Sequence, residues 1–445
     1  MNSNKITFGS VFTVGLMLFA LFLGAGNMIF PPLLGQQAGD SSWVAIAGFL
    51  LTGVGLPLLG VIAIAKSGGS PLDLASRVHP IFGIIFTIIL YLAIGPFFGI
   101  PRTATVSYEI GVLPFLTQES AGGWTLLLFS ILFFAVTAWL SLNPAKLVDR
   151  IGKLLTPGLV VILAVLVGGA FINPMGEPGQ ATGGYDDSAF ITGFLEGYLT
   201  LDAIAALVFA IVIISAIQNK GVTNRKQVVK AATFAGLIAA SGLAAVYISL
   251  SYLGATSLNA IGTQDNGGAL LSAAANYLYG PSGAIILGIA IGAACLTTSI
   301  GLVSATSSYF SRTFPKVSYN KFVVIFSLFS MMVANIGLAQ LIAVSVPVLV
   351  MIYPMTIVLI IMSFLDNTIK GKRSVYVGAI IPTFILGVSD GLAAGGFTAL
   401  ASVFSFLPLM DQSLGWILPA IAGGFIGMLI PASGSASAQA KYTNG

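Results

Sequence analysis

Twelve apolar stretches, each close to the roughly 20 residues that a helix needs to cross a bilayer, leave this chain few folds to adopt. They fall at about 8 to 30, 43 to 65, 81 to 108, 123 to 142, 153 to 172, 189 to 217, 229 to 254, 282 to 310, 321 to 337, 340 to 365, 375 to 392 and 414 to 431. Inside hydrocarbon the backbone must satisfy its own polar groups, so stretches of this kind become helices. Of 445 residues, 57% are hydrophobic and 7% charged, against roughly a quarter charged in soluble domains. The expectation is an all-α polytopic membrane protein, one transmembrane domain over about 1 to 431 with no soluble domain. The first apolar run is too long for a secretory signal and reads as an uncleaved span. Residues 397 to 407 are too few to span and read as re-entrant or interfacial, 267 to 279 as a short outer helix, and 432 to 445 as a flexible tail.

Charge placement orients the spans, because Lys and Arg accumulate on the cytoplasmic side. With the amino terminus inside, seventeen of the 18 basic residues, from Lys5 and Lys66 to Arg373 and Lys441, fall in inner loops, and Arg102 alone is left over. Both termini are then cytoplasmic. One missed or invented span would scramble that alternation. The acids Asp40, Glu119, Glu177, Asp186, Asp187, Asp265, Asp390 and Asp411 fall outside, and Trp43, Trp124, Trp139 and Trp416 lie at span ends, where an interfacial belt places them.

Two spans are weakened at their centres. The first carries Gly24-Ala-Gly-Asn27 and then Pro31-Pro32, and the sixth carries Gly193 and Gly197 ahead of Thr200 and Asp202. Glu196 and Asp202 are the only acids expected within the membrane, where an ionised carboxylate is costly unless it meets a cavity or partner. Interrupted helices five spans apart point to an inverted-repeat secondary transporter with its site where the breaks meet. Opened helix ends offer N–H groups to a carboxylate and C=O groups to a cation or ammonium. A zwitterionic amino acid matches both.

At these residues the chain resembles the bacterial branched-chain amino acid:cation symporters. Residues 24 to 32, 95 to 107 and 193 to 209 carry the likeness most specifically. The resemblance implies a leucine-transporter-type fold, with repeat one at about 8 to 172, repeat two at about 189 to 365, and two extra helices at about 375 to 431. It implies uptake of Leu, Ile and Val across the bacterial cytoplasmic membrane by alternating access, driven by Na⁺ or H⁺, with no other cofactor. The wider superfamily has Gly-x-Gly-Asn followed by Pro in its first broken helix, to which Gly24-Ala25-Gly26-Asn27 with Pro32 is similar. By that likeness the amides of Ala25 and Gly26 hold the substrate carboxylate, with Gly24 beside them in the substrate site. Asn27 serves an ion or the carboxylate, and carbonyls from Ala20 to Leu23 face cations. The second break contributes Tyr198, Leu199, Thr200 and Asp202 to the substrate site. Span 8 offers Thr297, Thr298 and Ser299 for sodium, of which relatives use two hydroxyls. Some proton-driven relatives place a lysine in mid-span 5; here Lys153 lies near the inner end, which favours sodium.

Plainer readings stand beside these. Gly24 and Gly26 also suit close helix packing, and the span 8 hydroxyls also suit bonds to their own helix carbonyls. Asp202 is open between a ligand for the substrate amine, a cation site, a proton carrier and a structural carboxylate. Arg102 either snorkels to the outer surface or forms an outer gate with Glu109 or Glu196. An enzyme would need a convergent nucleophile, base or metal set, and one histidine, His79, and one cysteine, Cys295, supply none. The serious rivals are a channel or uncoupled facilitator for a small polar solute, and a symporter for another small neutral amino acid.

Overall fold

Glycine and proline interrupt the helices where the sequence places them. The structure is a computed structural model that describes residues 7–117, 123–142 and 144–431, without the side chains of 144–156. The tail, Lys5, Glu119 and Lys441 lie outside the described residues, as do the side chains of Lys146, Arg150 and Lys153. All described secondary structure is helical. Among the described residues, eight segments can cross a membrane by length and composition, and four shorter apolar helices, Phe8–Phe22, Pro157–Ile172, Tyr319–Ala334 and Ile417–Leu429, accompany them. Together they cover the twelve expected spans.

Span 1 is two helices, Phe8–Phe22 and Ala25–Ala38. Span 6 is Tyr185–Glu196, a tight 3₁₀ turn Gly197–Thr200, and Asp202–Asn219. Span 2 stays continuous but widens into a π-helical turn at Leu51–Gly55, whereas span 3 kinks in its π turn, Ala93–Phe97, where Gly95 leaves helical geometry (ψ of −122°), and restarts as a helix at Gly99. The expected outer helix is present: Asn266 caps its start by accepting from the amides of Gly268 and Ala269 at 2.9 Å. It ends at Gly280, whose φ of +67° precedes Pro281 and turns the chain into span 8.

Contacts divide the chain into two units, Met1–Ser70 with Ile88–Val346, and Pro71–Thr87 with Pro347–Gly445. In the first, small residues let backbones touch, the usual device where lipid offers no hydrophobic drive between helices. A Cβ on Gly35 would lie 1.9 Å from Ser251 O, and one on Gly254 1.9 Å from Pro32 O, so span 1 and span 7 cross without side chains between them. Gly48 and Gly193 do the same for span 2 and span 6, at 2.0 Å from Phe190 O and 1.9 Å from Ala45 O. The first half of span 1 packs on span 7, and the first half of span 6 on the first half of span 2. Exchanging 1 with 6 and 2 with 7 exchanges these pairs, as an inverted repeat requires.

In the second unit, spans 11 (Arg373–Ala394) and 12 (Ile417–Leu429) pack through Gly378 and Gly423. Arg77 pairs with Asp366 and donates to Tyr376 Oη at 3.1 Å. The segment from Phe397 holds a short helix, Ala399–Val403, with Phe397 and Phe406 exposed at 72% and 77%. Two expectations need correction. Asp390, counted with the outer acids, is buried near the outer end of span 11, because it lies on the packed face of that helix. Trp416 sits at a span end but is buried beneath its neighbours, so only Trp43, Trp124 and Trp139 show the exposure of an interfacial belt.

Candidate functional site where the two broken helices meet

At the first break, Leu23 and Gly24 leave helical geometry (ψ of 74° and −162°). The amides of Leu23 and Gly24 fall back on Phe19 O and Phe22 O, while carbonyls of the last helical turn lose their intrahelical partners. The helix restarts at Ala25, and Asn27 caps it, its Oδ1 accepting from Gly24 N at 3.2 Å. Pro31 and Pro32 lack amides, so the carbonyls four residues earlier, Asn27 and Met28, gain no helical donor.

The second break faces the first. Leu201 takes a left-handed conformation (φ +68°), which costs a non-glycine residue on the order of 1 kcal/mol and persists where the surroundings demand it. Thr200 Oγ1 stitches the gap, donating to Gly197 O at 2.9 Å and accepting from Asp202 N at 3.2 Å. On span 2, Thr52 in the π turn donates to Phe194 O at 2.7 Å, meeting a carbonyl just before the break. A Cβ on Gly26 would lie 3.3 Å from Thr200 Cα and O, so the two interruptions touch backbone to backbone.

A buried cluster locks them together. Asn27 Nδ2 donates to Asp202 Oδ2 at 2.6 Å and to Tyr247 Oη, and Tyr247 Oη donates to the same carboxylate oxygen at 2.6 Å. Asp202 is 3% exposed. A carboxylate removed from water costs several kcal/mol unless donors surround it, and here span 1 and span 7 provide them. Beside the cluster lies a cavity of about 40 Å³, walled by Gly24 to Asn27, Thr200 to Asp202, Arg102 and Thr298. That is room for a few water-sized groups at roughly 15 Å³ each. Ile94, Phe209 and Leu302 supply its apolar side, Phe209 lying edge-on to Phe22 at 5.8 Å.

The remaining candidates separate. Thr297 donates to Ala294 O at 2.7 Å within its own helix, and Ser299 accepts from Thr137 of span 4 at 3.4 Å. Thr298 alone of the three lines the cavity; its buried Oγ1 has no hydrogen-bond partner and lies 3.1 Å from where a Cβ on Gly24 would stand. Tyr198 and Leu199 are buried in the turn, with Leu199 O accepting from Arg102. Ala20 and Leu23 flank the first break. Arg102 corrects its expectation: at 1% exposure it does not snorkel. Its helix starts only at Gly99, after the π turn, so the residue sits at cavity depth rather than at the outer end of a straight span. Glu109, half-buried beside Asn266, and Glu196, at the end of the helix before the turn, are not its ion-pair partners in this conformation.

The model of the family described as branched-chain amino acid transport protein matches residues 8–433. The chain belongs to that family. Among its relatives, branched-chain amino acid permease BraB of Bacillus subtilis is 52% identical over 421 residues, 94% of each chain. A branched-chain amino acid transport system 2 carrier protein of Pseudomonas aeruginosa is 48% identical over 91% of this chain and 92% of its own. Branched-chain amino acid permease BrnQ of Escherichia coli K12 is 40% identical over 92% and 93%. Names of permeases and carriers place this multi-span membrane protein among transporters and not enzymes. In fold it is similar to MhsT, solved in complex with L-phenylalanine (TM-score 0.51, 18% identity, 94% of this chain and 97% of that one). It is also similar to Mhp1, a nucleobase-cation-symport-1 family transporter solved closed on bromovinylhydantoin (TM-score 0.58, 14% identity, 96% and 94%). Identities this low show the fold alone, and it is the leucine-transporter type expected. Sequence reasoning missed two residues that hydrogen-bond to the second broken helix at the candidate site, Tyr247 and Thr52. Both hydroxyls sit in ordinary apolar spans, and only the packing of spans 7 and 2 on the breaks reveals them.

Proposed function

We propose that this transporter carries branched-chain amino acids into the bacterial cell across the cytoplasmic membrane, coupled to a cation, by alternating access with both termini cytoplasmic. The observation that carries the proposal is the contact of the two broken helices at Gly26 and Thr200 around one cavity. The helix start at Ala25 and Gly26 suits a carboxylate, because amino-terminal amides and the helix dipole both favour an anion. Asp202 is the acid on the same cavity and suits the ammonium end, while Phe209, Ile94 and Leu302 suit a branched aliphatic side chain. The relatives' names as branched-chain amino acid permeases and carriers support the same substrate. A cavity of about 40 Å³ is smaller than a whole amino acid, so the walls must part for loading, which fits a carrier better than an open channel.

Sodium is the coupling ion the residues favour. Thr298 Oγ1 is a buried hydroxyl oxygen without a hydrogen-bond partner, next to the break at Gly24 whose preceding turn holds the carbonyls of Ala20 to Leu23. Hydroxyl and carbonyl oxygens are hard ligands of the kind that hold hard cations. The test is leucine uptake by the purified protein in liposomes under a sodium gradient alone, then a proton gradient alone. Accumulation above the outside concentration with sodium alone is expected. Accumulation with protons alone overturns sodium, and equilibration without accumulation under both gradients overturns coupled transport.

A further inference from the structure

We propose that Arg102 joins the amides at Ala25 and Gly26 in binding the carboxylate of the transported amino acid. The inference rests on the reading of this cavity as an amino acid site. Among the described residues that wall the cavity, Arg102 is the one cation and Asp202 the one anion. An arginine keeps its proton at any accessible pH, so this charge, 1% exposed, stays within the protein and must be met by acceptors.

Two of the acceptors it meets belong to the parts that form the site. Its guanidinium donates to Leu199 O, a carbonyl in the turn that breaks span 6, and to Ser345 Oγ at 3.2 Å on span 10. It also lies over the ring of Phe30, 5.3 Å from the centroid. That same ring comes within 3.4 Å of a Cβ built on Gly26. The guanidinium therefore converges with the amino-terminal amides of the restarted span 1, and both face one cavity. Leu199 O and Ser345 Oγ are neutral acceptors, and hydrogen bonds between charged partners are roughly twice as strong as neutral ones. A carboxylate entering the cavity competes for the guanidinium on favourable terms, and arginine's planar fork matches its two oxygens.

Polarity follows from the break itself. Arg102 meets the chain at Leu199, and Asp202 lies three residues on, beyond Leu201, held toward span 7 by Tyr247. Positive charge before the break and negative charge after it match the two ends of a zwitterion. The buried cation thereby gains a use that neither snorkelling nor an outer gate provides.

A structural role, bracing Leu199 O, predicts something different, and substrate analogues separate the two. Binding of radiolabelled leucine to the purified protein is measured with competition by leucine and by leucinamide, which keeps the ammonium and side chain but has no carboxylate. In Arg102→Gln, whose amide can still donate to Leu199 O, leucine affinity is expected to fall at least about 30-fold, as when one partner of a buried charged pair is removed. Leucinamide affinity is expected to stay within a few-fold, so the preference for leucine collapses, and Arg102→Lys restores part of it. An unchanged leucine-to-leucinamide ratio in both variants, or a wild type that does not prefer leucine, overturns the inference alone. A wild type that binds no branched-chain amino acid overturns the proposed function and this inference with it.

Discussion

Asn27 spends every polar atom of its side chain on the join between the two broken helices: Oδ1 on Gly24 N, Nδ2 on Asp202 and Tyr247. Truncation removes a donor from a buried carboxylate and the cap from a helix start at once, and an unmet buried group costs about 1–3 kcal/mol. Asn27→Ala is therefore expected to lower coupled leucine uptake at least about tenfold, with folded protein yield in detergent close to wild type; uptake at the wild-type rate would remove Asn27 from the machinery. Asp202→Asn keeps the shape but deletes the charge, and its amide meets the amide donor of Asn27. Loss of transport is expected, and transport with unchanged cation dependence would leave Asp202 a purely structural carboxylate. Gly24, Gly26, Asn27 and Asp202 were legible because each is an anomaly in its own span. Arg102 was legible as an anomaly but not in its place, since the π turn at Ala93–Phe97 shifts its depth and helix counting assumes a straight rod. That Thr298 lines the cavity and Thr297 and Ser299 do not follows from the rotation of span 8, which hydroxyl spacing cannot provide because any of the three can bond its own helix.

At the level of elements, the spans and both breaks follow from apolar length and from glycine, asparagine and proline at fixed places. What the sequence left open is which helices touch. The glycines at the crossings look like any of the 53 in the chain, and only their neighbours distinguish them. Gly254 is one such crossing, where a Cβ would stand 1.9 Å from Pro32 O, backbone that cannot step aside. Gly292, in the helix containing span 8, has nothing within 4 Å. Gly254→Ala should drive span 7 from span 1 and destabilise by about 1–3 kcal/mol or more, the range for overpacking. Gly292→Ala should be neutral or gain up to about 1 kcal/mol of helix propensity. Thermal unfolding in detergent reads both, and equal midpoints for the two variants would mean that the crossing of spans 1 and 7 is not tight.

For the whole molecule, the arrangement in the membrane rests on the asymmetry of Lys and Arg, and the chain offers a clean way to examine it. Its single cysteine, Cys295, is 1% exposed in span 8, so a membrane-impermeant thiol reagent finds little native background. Asp187 at the start of span 6 and Lys220 after its end are both exposed, and one crossing separates them. With the amino terminus inside, Asp187→Cys faces out and Lys220→Cys faces the cytoplasm. In intact cells the reagent should label Asp187→Cys at once and Lys220→Cys only after permeabilisation. The reverse pattern would invert the protein, and labelling of both from outside would mean that span 6 does not cross. This measurement bears on more than topology. Under the proposed alternating access, the side to which Lys220 points also fixes which end of span 6 borders the cytoplasm when the cavity opens inward.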